Sequence, residues 1–328
     1  MNEPDYSITG NVELITDAPV VPASTRAFAA PLSRLWEKGL PPGSKTGWMS
    51  VDRHYTVAPG QLTILTGWPG SGKSEWLDAL LLNLARQGWR MAIFSPENHP
   101  SEVHVAKLLE KFVGKPFGHG PTERMTKDEM TEAMTEIDDW FGFIVPSNTT
   151  DQTNFSIEQI LGAAEAHFRL NKLWHGKENN LGVVIDPWNE LEHLRPKHMS
   201  ETEYVSATLS SVRAWARMHN VHVWIIAHPQ KLQRDKEGKL PVPRPDAISG
   251  SIHWWNKADN AITIWRPLDD ALTQDVAVYI WKIRFKHIGR PGEVHLDYDR
   301  VTGRYQEQQM KGLKLVADGK SKSSEIDF

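Results

Sequence analysis

The stretch Gly67-Trp68-Pro69-Gly70-Ser71-Gly72-Lys73-Ser74 has the spacing GxxxxGKS, follows the apolar run 62–66, and precedes a helical pattern over 74–87 closed by Gly88. Strand, glycine-rich loop and helix in that order make a phosphate loop. The glycines let backbone N–H groups close around phosphate oxygens. Lys73 neutralises the terminal phosphates, and Ser74 can hold Mg²⁺ at a helix N-terminus whose dipole favours negative charge. Gly67, Pro69, Gly70, Ser71, Gly72, Lys73 and Ser74 are therefore the expected nucleotide contacts, with ATP or another NTP and Mg²⁺ as ligands.

Outward from this loop, the runs 91–95, 143–146, 183–186 and 221–227 read as strands and alternate with helical patterns such as 202–219. Such alternation predicts a parallel sheet covered by helices. After Asn260 the pattern changes: 262–265, 276–285 and 293–298 read as successive strands joined by short Pro/Gly turns, an antiparallel extension of the sheet. The expected fold class is α/β, with a mostly parallel central sheet and an antiparallel C-terminal extension. Residues 47–305 form its body, preceded by a short helical arm over 25–46 that carries Leu32, Leu35 and Trp36 at helical spacing. Residues 1–24 and 306–328 are polar, lack periodicity and read as disordered tails.

Composition bounds the function. Of 328 residues 40% are hydrophobic and 24% charged, the balance of a soluble globular chain. No apolar run approaches membrane-spanning length, and the acidic, polar N-terminus lacks the features of a signal peptide. The expected location is the cytoplasm, with no membrane partner. The absence of cysteine excludes disulfides and any Cys-ligated zinc module on this chain, and none of the 14 histidines falls in an HExxH pair. A net charge of −4 restricts nucleic-acid binding to a local basic surface.

Three further residues are candidates for chemistry at the carboxyl ends of strands. Asp186 ends a buried run and can orient a metal-bound water, or can cap the turn into Pro187. Glu97, in Ser95-Pro96-Glu97-Asn98, can deprotonate or orient an attacking water, or can complement the helix that follows. His228 can sense the γ-phosphate, although a lone His after a strand is more often structural.

Together these segments resemble the RecA-like helicase domain of the DnaB-type hexameric replicative helicases, nearest to the phage primase-helicase and Twinkle branch. The likeness spans about residues 32–305. It is carried by Gly47-Trp48-Met49-Ser50-Val51-Asp52 with Tyr55-Thr56-Val57, the phosphate loop with Glu75-Trp76-Leu77-Asp78, Ser95-Pro96-Glu97, His228-Pro229-Gln230-Lys231, and Ser249-Gly250-Ser251-Ile252 with Ala258-Asp259-Asn260. The resemblance implies that Glu97 is the catalytic base and that His228 contacts the γ-phosphate. It also implies that Lys282 and Arg284 reach into a neighbouring subunit's site, Arg284 as an arginine finger. From the residues alone, Lys282 and Arg284 are also compatible with a solvated strand edge.

The resemblance sets Arg266, Phe285 and Tyr298 around the adenine, where guanidinium and aromatic planes can stack, or equally pack as ordinary core. It makes Lys231, Arg234, Lys236 and Lys239 part of a basic DNA-contacting loop before residue 248, whose bland alternative is an exposed charged loop. The implied activity is ATP-driven 5′ to 3′ movement of a homo-hexameric ring along single-stranded DNA during replication, in a bacterial or phage-infected cell. A primase or other replisome proteins are among the implied partners. The alternatives are a RecA-like recombinase or repair ATPase, and a nucleotide-switched regulatory module.

Overall fold

The computed structural model describes residues 23–146, 155–173, 180–230, 234, 236, 238, 240–248, 252–267 and 273–308. A 3₁₀ turn (Thr25–Phe28) leads into α1 (Ala29–Lys38), and α2 (Met49–Asp52) precedes β1 (Leu62–Thr66) and α3 (Lys73–Ala85). Next come β2 (Trp89–Phe94), α4 (Ser101–Val113), α5 (Lys127–Asp138), β3 (Phe141–Phe143), α6 (Ile157–Leu170) and β4 (Asn180–Ile185). They are followed by α7 (Glu201–His219), β5 (Val221–Ile226), α8 (His253–Lys257), β6 (Asn260–Trp265), β7 (Asp275–Ile283), β8 (Gly292–Tyr298) and β9 (Tyr305–Glu307).

The strands form one sheet in the order β3-β2-β4-β5-β1-β6-β7-β8-β9. β1 to β6 are parallel, and β7, β8 and β9 add to the β6 side as an antiparallel run. The inner strands are apolar at nearly every position because helices cover both faces, so β1 and β5 are buried throughout. One face packs Leu65, Ile93, Trp224 and Ile264 under α3, α4 and α5. The other packs Ile64, Val183, Ile185 and Val223 under α6 and α7. α3 is apolar nearly all round, with Trp76, Leu77, Leu80, Leu81 and Leu84 buried, because it lies between the sheet and α4. α7 starts at a capping box, Ser200 with Glu203, and stops at Asn220 in the left-handed conformation.

Two segments differ from the sequence-based expectation. β3 covers 141–143 rather than 143–146, because it is a short edge strand whose position is set by pairing of Phe141 with Met91 and Phe143 with Ile93. Gln306 and Glu307, expected in a tail, belong to β9, which pairs with Leu296 and Asp297. A polar run without periodicity becomes a strand here because Tyr305 is buried and its carbonyl accepts the Trp48 indole N–H at 3.0 Å. Of the remaining tail residues, 1–22 and 309–328 lie outside those described.

A buried histidine adds a pH term to the stability of this core. His222 is fully buried, donates from Nδ1 to the Ala58 carbonyl at 2.6 Å and accepts from Thr63 Oγ1 at 2.8 Å. Burial lowers its pKa from 6.5 to about 4, against the upward pull of the Ala58 hydrogen bond. Below pH 6.5 the unfolded chain therefore takes up a proton that the folded chain refuses, and stability is lost as pH falls. The expected loss is about 3 kcal/mol between neutrality and about pH 4. Denaturant titrations across that window check it: His222→Asn should flatten the slope by that amount, and an unchanged slope would assign the loss to other groups.

Candidate active site

The register brings the carboxyl ends of the parallel strands to one sheet edge. Phe94 pairs with Ile185, Ile185 with Ile225, Leu65 with Ile226 and Thr66 with Thr263. The segments leaving these ends carry Lys73, Glu97, Asp186, His228 and Arg266. The antiparallel strands return to the same edge, where Tyr298 pairs with Tyr305. Between them lies a cleft of about 380 Å³ lined by residues 69–75, Glu97, Asn98, Lys107, His228, Arg266, Val276, Tyr298 and Tyr305.

The phosphate loop is shaped by its glycines. At Gly67, φ is +152° and a Cβ would stand 2.3 Å from the Ile264 carbonyl oxygen. Gly72 starts α3 from a left-handed conformation, so the first N–H groups of the helix face the cleft without helical partners. Lys73 is buried, and its Nζ donates to the carbonyls of Gly67 at 3.1 Å and Trp68 at 3.2 Å. Burial pulls its pKa down, while Asp186 and Glu97 pull it up. Arg266 Nη2 donates to Gly70 O at 2.9 Å.

Asp186 is buried at the end of β4, and desolvation raises its pKa to about 6, with the Ser74 hydroxyl opposing the rise. Its Oδ2 accepts from Ser95 Oγ at 3.3 Å, but Oδ1 and the buried Ser71 Oγ have no hydrogen-bond partner among the described residues. Buried acceptors left in this state cost free energy. Such a donor set fits a polyphosphate with a hard divalent cation: the loop N–H groups and Lys73 for the phosphate oxygens, Ser74 and Asp186 for Mg²⁺ and its water.

His228 Nε2 lies 3.4 Å from Glu97 Oε1, an ion-pair distance rather than a well-formed hydrogen bond. Burial and Lys73 hold the imidazole below its ordinary pKa against the pull of Glu97. Asn189 Oδ1 accepts from the His228 backbone N–H at 3.0 Å and sets where the ring enters. A carboxylate and an imidazole facing the phosphate loop can orient a water and report on a terminal phosphate.

Sequence reasoning missed the support around this site. Asn98 donates to Ser95 Oγ at 2.8 Å, Lys107 donates to Asn98 at 2.9 Å and pairs with Glu75 at 3.2 Å, and Glu75 also takes buried Lys111. Beneath it, buried His104 and Asp78 pair at 3.0 Å; burial alone would lower the histidine's pKa, but the carboxylate raises it above the ordinary value. Tyr305 was also missed: its OH donates to Gly72 O at 3.4 Å and its ring lies 4.9 Å from Tyr298. No local pattern marks it, since its place depends on β9.

Phe285 is not brought to Arg266 and Tyr298. It follows β7 at the opposite sheet edge, exposed beside His287. The reason is antiparallel geometry: Asn260 pairs with Ile283, so β7 ends where β6 begins. Lys282 and Arg284 share that remote edge. Lys282 Nζ donates to the carbonyls of Trp255 at 2.7 Å and Asn256 at 3.4 Å, and Arg284 Nη2 donates to Ala258 O at 3.2 Å. These carbonyls at the end of α8 lack helical partners, so cations satisfy them. Arg284 is separated from its own phosphate loop by at least the length of β1, about 13 Å at ~3.3 Å per residue.

Of the basic-loop residues, Lys231 and Lys239 lie outside the described residues, while Arg234 and Lys236 are exposed. The foot of the loop meets the site directly: Trp68 Nε1 donates to Pro241 O at 2.9 Å. Arg244 lies over Trp255 at 5.4 Å and Trp281 at 5.1 Å.

A phosphate loop between a buried parallel strand and a helix, with acidic and sensor residues on the neighbouring strands and an antiparallel extension, defines a RecA-like P-loop ATPase fold. The chain belongs to the DnaB-like helicase C terminal domain family, whose model matches residues 43–307. It is 41% identical over 270 residues to the Twinkle homolog protein, chloroplastic/mitochondrial, of Arabidopsis thaliana, a match covering 80% of this chain and 36% of that protein. The chain thus spans about a third of that relative's length.

Among solved structures, an isolated ATPase domain superposes with a TM-score of 0.69 at 16% identity, covering 88% of this chain and 100% of that one. A DnaB-like replicative helicase, described together with its interactions with primase, superposes at 0.68 and 17% identity over 88% of this chain and 69% of that one. The RadB recombinase reaches 0.50 at 16% identity, over 81% and 99%. At such identities these structures establish the shared fold. Among the described residues no helix is long and apolar enough to cross a membrane.

Proposed function

We propose that this chain is the motor of an ATP-dependent DNA helicase: a Mg²⁺-dependent ATPase, assembled as a homo-hexameric ring, that moves along single-stranded DNA in the 5′ to 3′ direction during replication. One observation carries the reading. The phosphate-binding groups and the basic pair Lys282 and Arg284 lie at opposite edges of one sheet, so a complete site forms only where one copy's remote edge meets the next copy's cleft. The phage or prophage setting, a primase partner and the hexameric count rest on the family likeness alone.

In this reading the loop N–H groups and Lys73 grip the β- and γ-phosphates, Ser74 and Asp186 hold Mg²⁺, and Arg266 and Tyr298 flank the base. Bound Mg²⁺ would offset charge on the phosphates. Glu97 takes the proton of the attacking water, His228 senses the γ-phosphate, and the neighbour's Arg284 and Lys282 offset the charge that develops on the transferring group. Lys231, Arg234, Lys236 and Lys239 face the pore, where repetition around a ring turns one modest loop into a positive lining on an acidic protein. The Trp68–Pro241 contact ties that loop to the phosphate loop.

Residues 25–46 serve as an arm on the adjacent copy. α1 buries none of its residues, and Leu32 and Trp36 are 63% and 85% exposed. The working location is the aqueous compartment that holds the DNA, the cytoplasm of a bacterial or phage-infected cell on the reading of the sequence.

Strand displacement on a forked duplex is the test. With Mg²⁺ and ATP the chain should separate the strands, single-stranded DNA should stimulate hydrolysis, and a non-hydrolysable ATP analogue should support neither. Light scattering of the same sample should give the mass of a ring. DNA-stimulated hydrolysis without displacement, on filaments rather than rings, would overturn the helicase reading in favour of a recombinase-like ATPase. Hydrolysis indifferent to DNA would point to a regulatory module.

A further inference from the structure

Asp259 lies just before β6, beside the start of β1, at the edge remote from the phosphate loop, and is fully buried. Its backbone N–H donates to Leu62 O at 2.9 Å, and its Oδ2 accepts from Leu62 N at 3.1 Å. Oδ1 meets two cations, Arg284 Nε at 2.5 Å and Arg217 Nη2 at 3.2 Å. The Arg284 backbone N–H donates to Asp259 O at 2.9 Å, so residues 259 and 284 are joined through both main chain and side chain.

A buried carboxylate must be compensated, and one cation with one N–H donor is enough for a single charge. Arg217 and Leu62 already supply these, so Arg284 exceeds what charge balance requires. What the contact does for Arg284 is geometric. A guanidinium is planar, and fixing Nε on Asp259 and Nη2 on Ala258 O fixes the plane of the whole group. Nη1 has no hydrogen-bond partner among the described residues, and the side chain is 32% exposed. An open pair of donors is thus presented outward on a rigid support, whose far side is the strand that carries the phosphate loop.

We propose that Asp259 is the positioning residue of Arg284, holding the guanidinium in the pose in which its open edge meets the terminal phosphate of a nucleotide bound by a neighbouring copy. This rests on the in-trans reading of Arg284 given above. The consequence is catalytic rather than merely structural: donors already aimed at developing charge need no reorganisation during the reaction, and loss of their aim lowers turnover without changing how the neighbour binds ATP.

Mixed assemblies separate this proposal from the reading beneath it. Lys73→Ala chains keep Arg284 but cannot use nucleotide, and Arg284→Ala chains keep the phosphate loop but lack the cation. Mixed with DNA present, the two should regain hydrolysis at interfaces where an intact loop meets an intact Arg284. Adding Asp259→Asn to the Lys73→Ala chain should lower the regained kcat by about 10-fold or more with the KM for ATP unchanged.

Equal rescue by the Asp259→Asn chain would overturn the positioning role. Absence of rescue in the first mixture would overturn the in-trans reading and this proposal with it. Binding of a fluorescent ATP analogue by Asp259→Asn with Lys73 intact reports that the fold survives. If that chain does not fold, Asp259→Glu in the Lys73→Ala background takes its place: it keeps the charge but displaces the carboxylate, so rescue as good as with Asp259 would overturn the proposal and weakened rescue would support it.

Discussion

Arg284→Ala is expected to lower DNA-stimulated ATP turnover by about 10³-fold or more, with little change in affinity for ATP. The expectation follows from where Arg284 stands. It closes β7 at the edge where β6 begins, and its own cleft opens at the other end of β1. A cation there contributes nothing to nucleotide binding by its own copy. It can act only on charge that develops at a neighbour's phosphate, and an interaction made in the transition state alone lowers kcat and kcat/KM together when lost.

Phosphate-release kinetics and a fluorescent-nucleotide titration measure the two quantities. Turnover within tenfold of the unsubstituted chain would remove Arg284 from the site. Removing the guanidinium also takes one of two cations from Asp259, so thermal melting should accompany the kinetics; Arg217 remains on the carboxylate and keeps its charge compensated.

Lys73→Ala is expected to abolish nucleotide use, lowering hydrolysis by about 10³-fold or more, roughly 4 kcal/mol of barrier, and ending strand displacement. Unlike Arg284, Lys73 should affect binding as well as turnover. It is buried at the start of α3, and Asp186 and Glu97 act on it across the cleft. Without the ammonium, those two carboxylates would face the phosphates with less opposing charge, so the substitution adds like-charge repulsion to the lost attraction. Calorimetric titration with Mg²⁺ and ATP, together with the forked-duplex assay, measures both consequences. Retained ATP affinity and displacement would mean that this loop is not where the nucleotide does its work. The contrast between the variants is the informative result: one should lose binding, the other turnover alone.

Much of the architecture is legible along the chain. The run 62–66 is β1 from end to end, and the loop and helix after it lie where the GxxxxGKS spacing puts them. The change of pattern after Asn260 corresponds to the change from parallel to antiparallel strands. These features are local, since burial on both faces makes a strand continuously apolar and short turns bring the next strand back beside it. Less was legible where pairing rather than composition makes the element. β9 is polar except for Tyr305, and nothing near residue 305 shows that its ring will stand against Tyr298 at the mouth of the cleft. The chain of contacts from Asp186 through Ser95, Asn98 and Lys107 to Glu75 joins separate segments, and no spacing rule connects them.

The phosphate loop is the part that the sequence determined by itself. Eight consecutive residues, Gly67 to Ser74, carry their own conformational requirements and chemistry, and the helix dipole behind them comes with the local fold. Which groups share that loop's cleft was decided only by the tertiary structure. Arg266, Phe285 and Tyr298 look alike in sequence as partners for a base, yet strand direction sends Arg266 and Tyr298 to the cleft and Phe285, with Lys282 and Arg284, to the far edge. Each residue advances a strand by about 3.3 Å and each antiparallel turn reverses its direction, so the edge a side chain reaches depends on pairing register across the sheet, a long-range quantity that residue type does not encode.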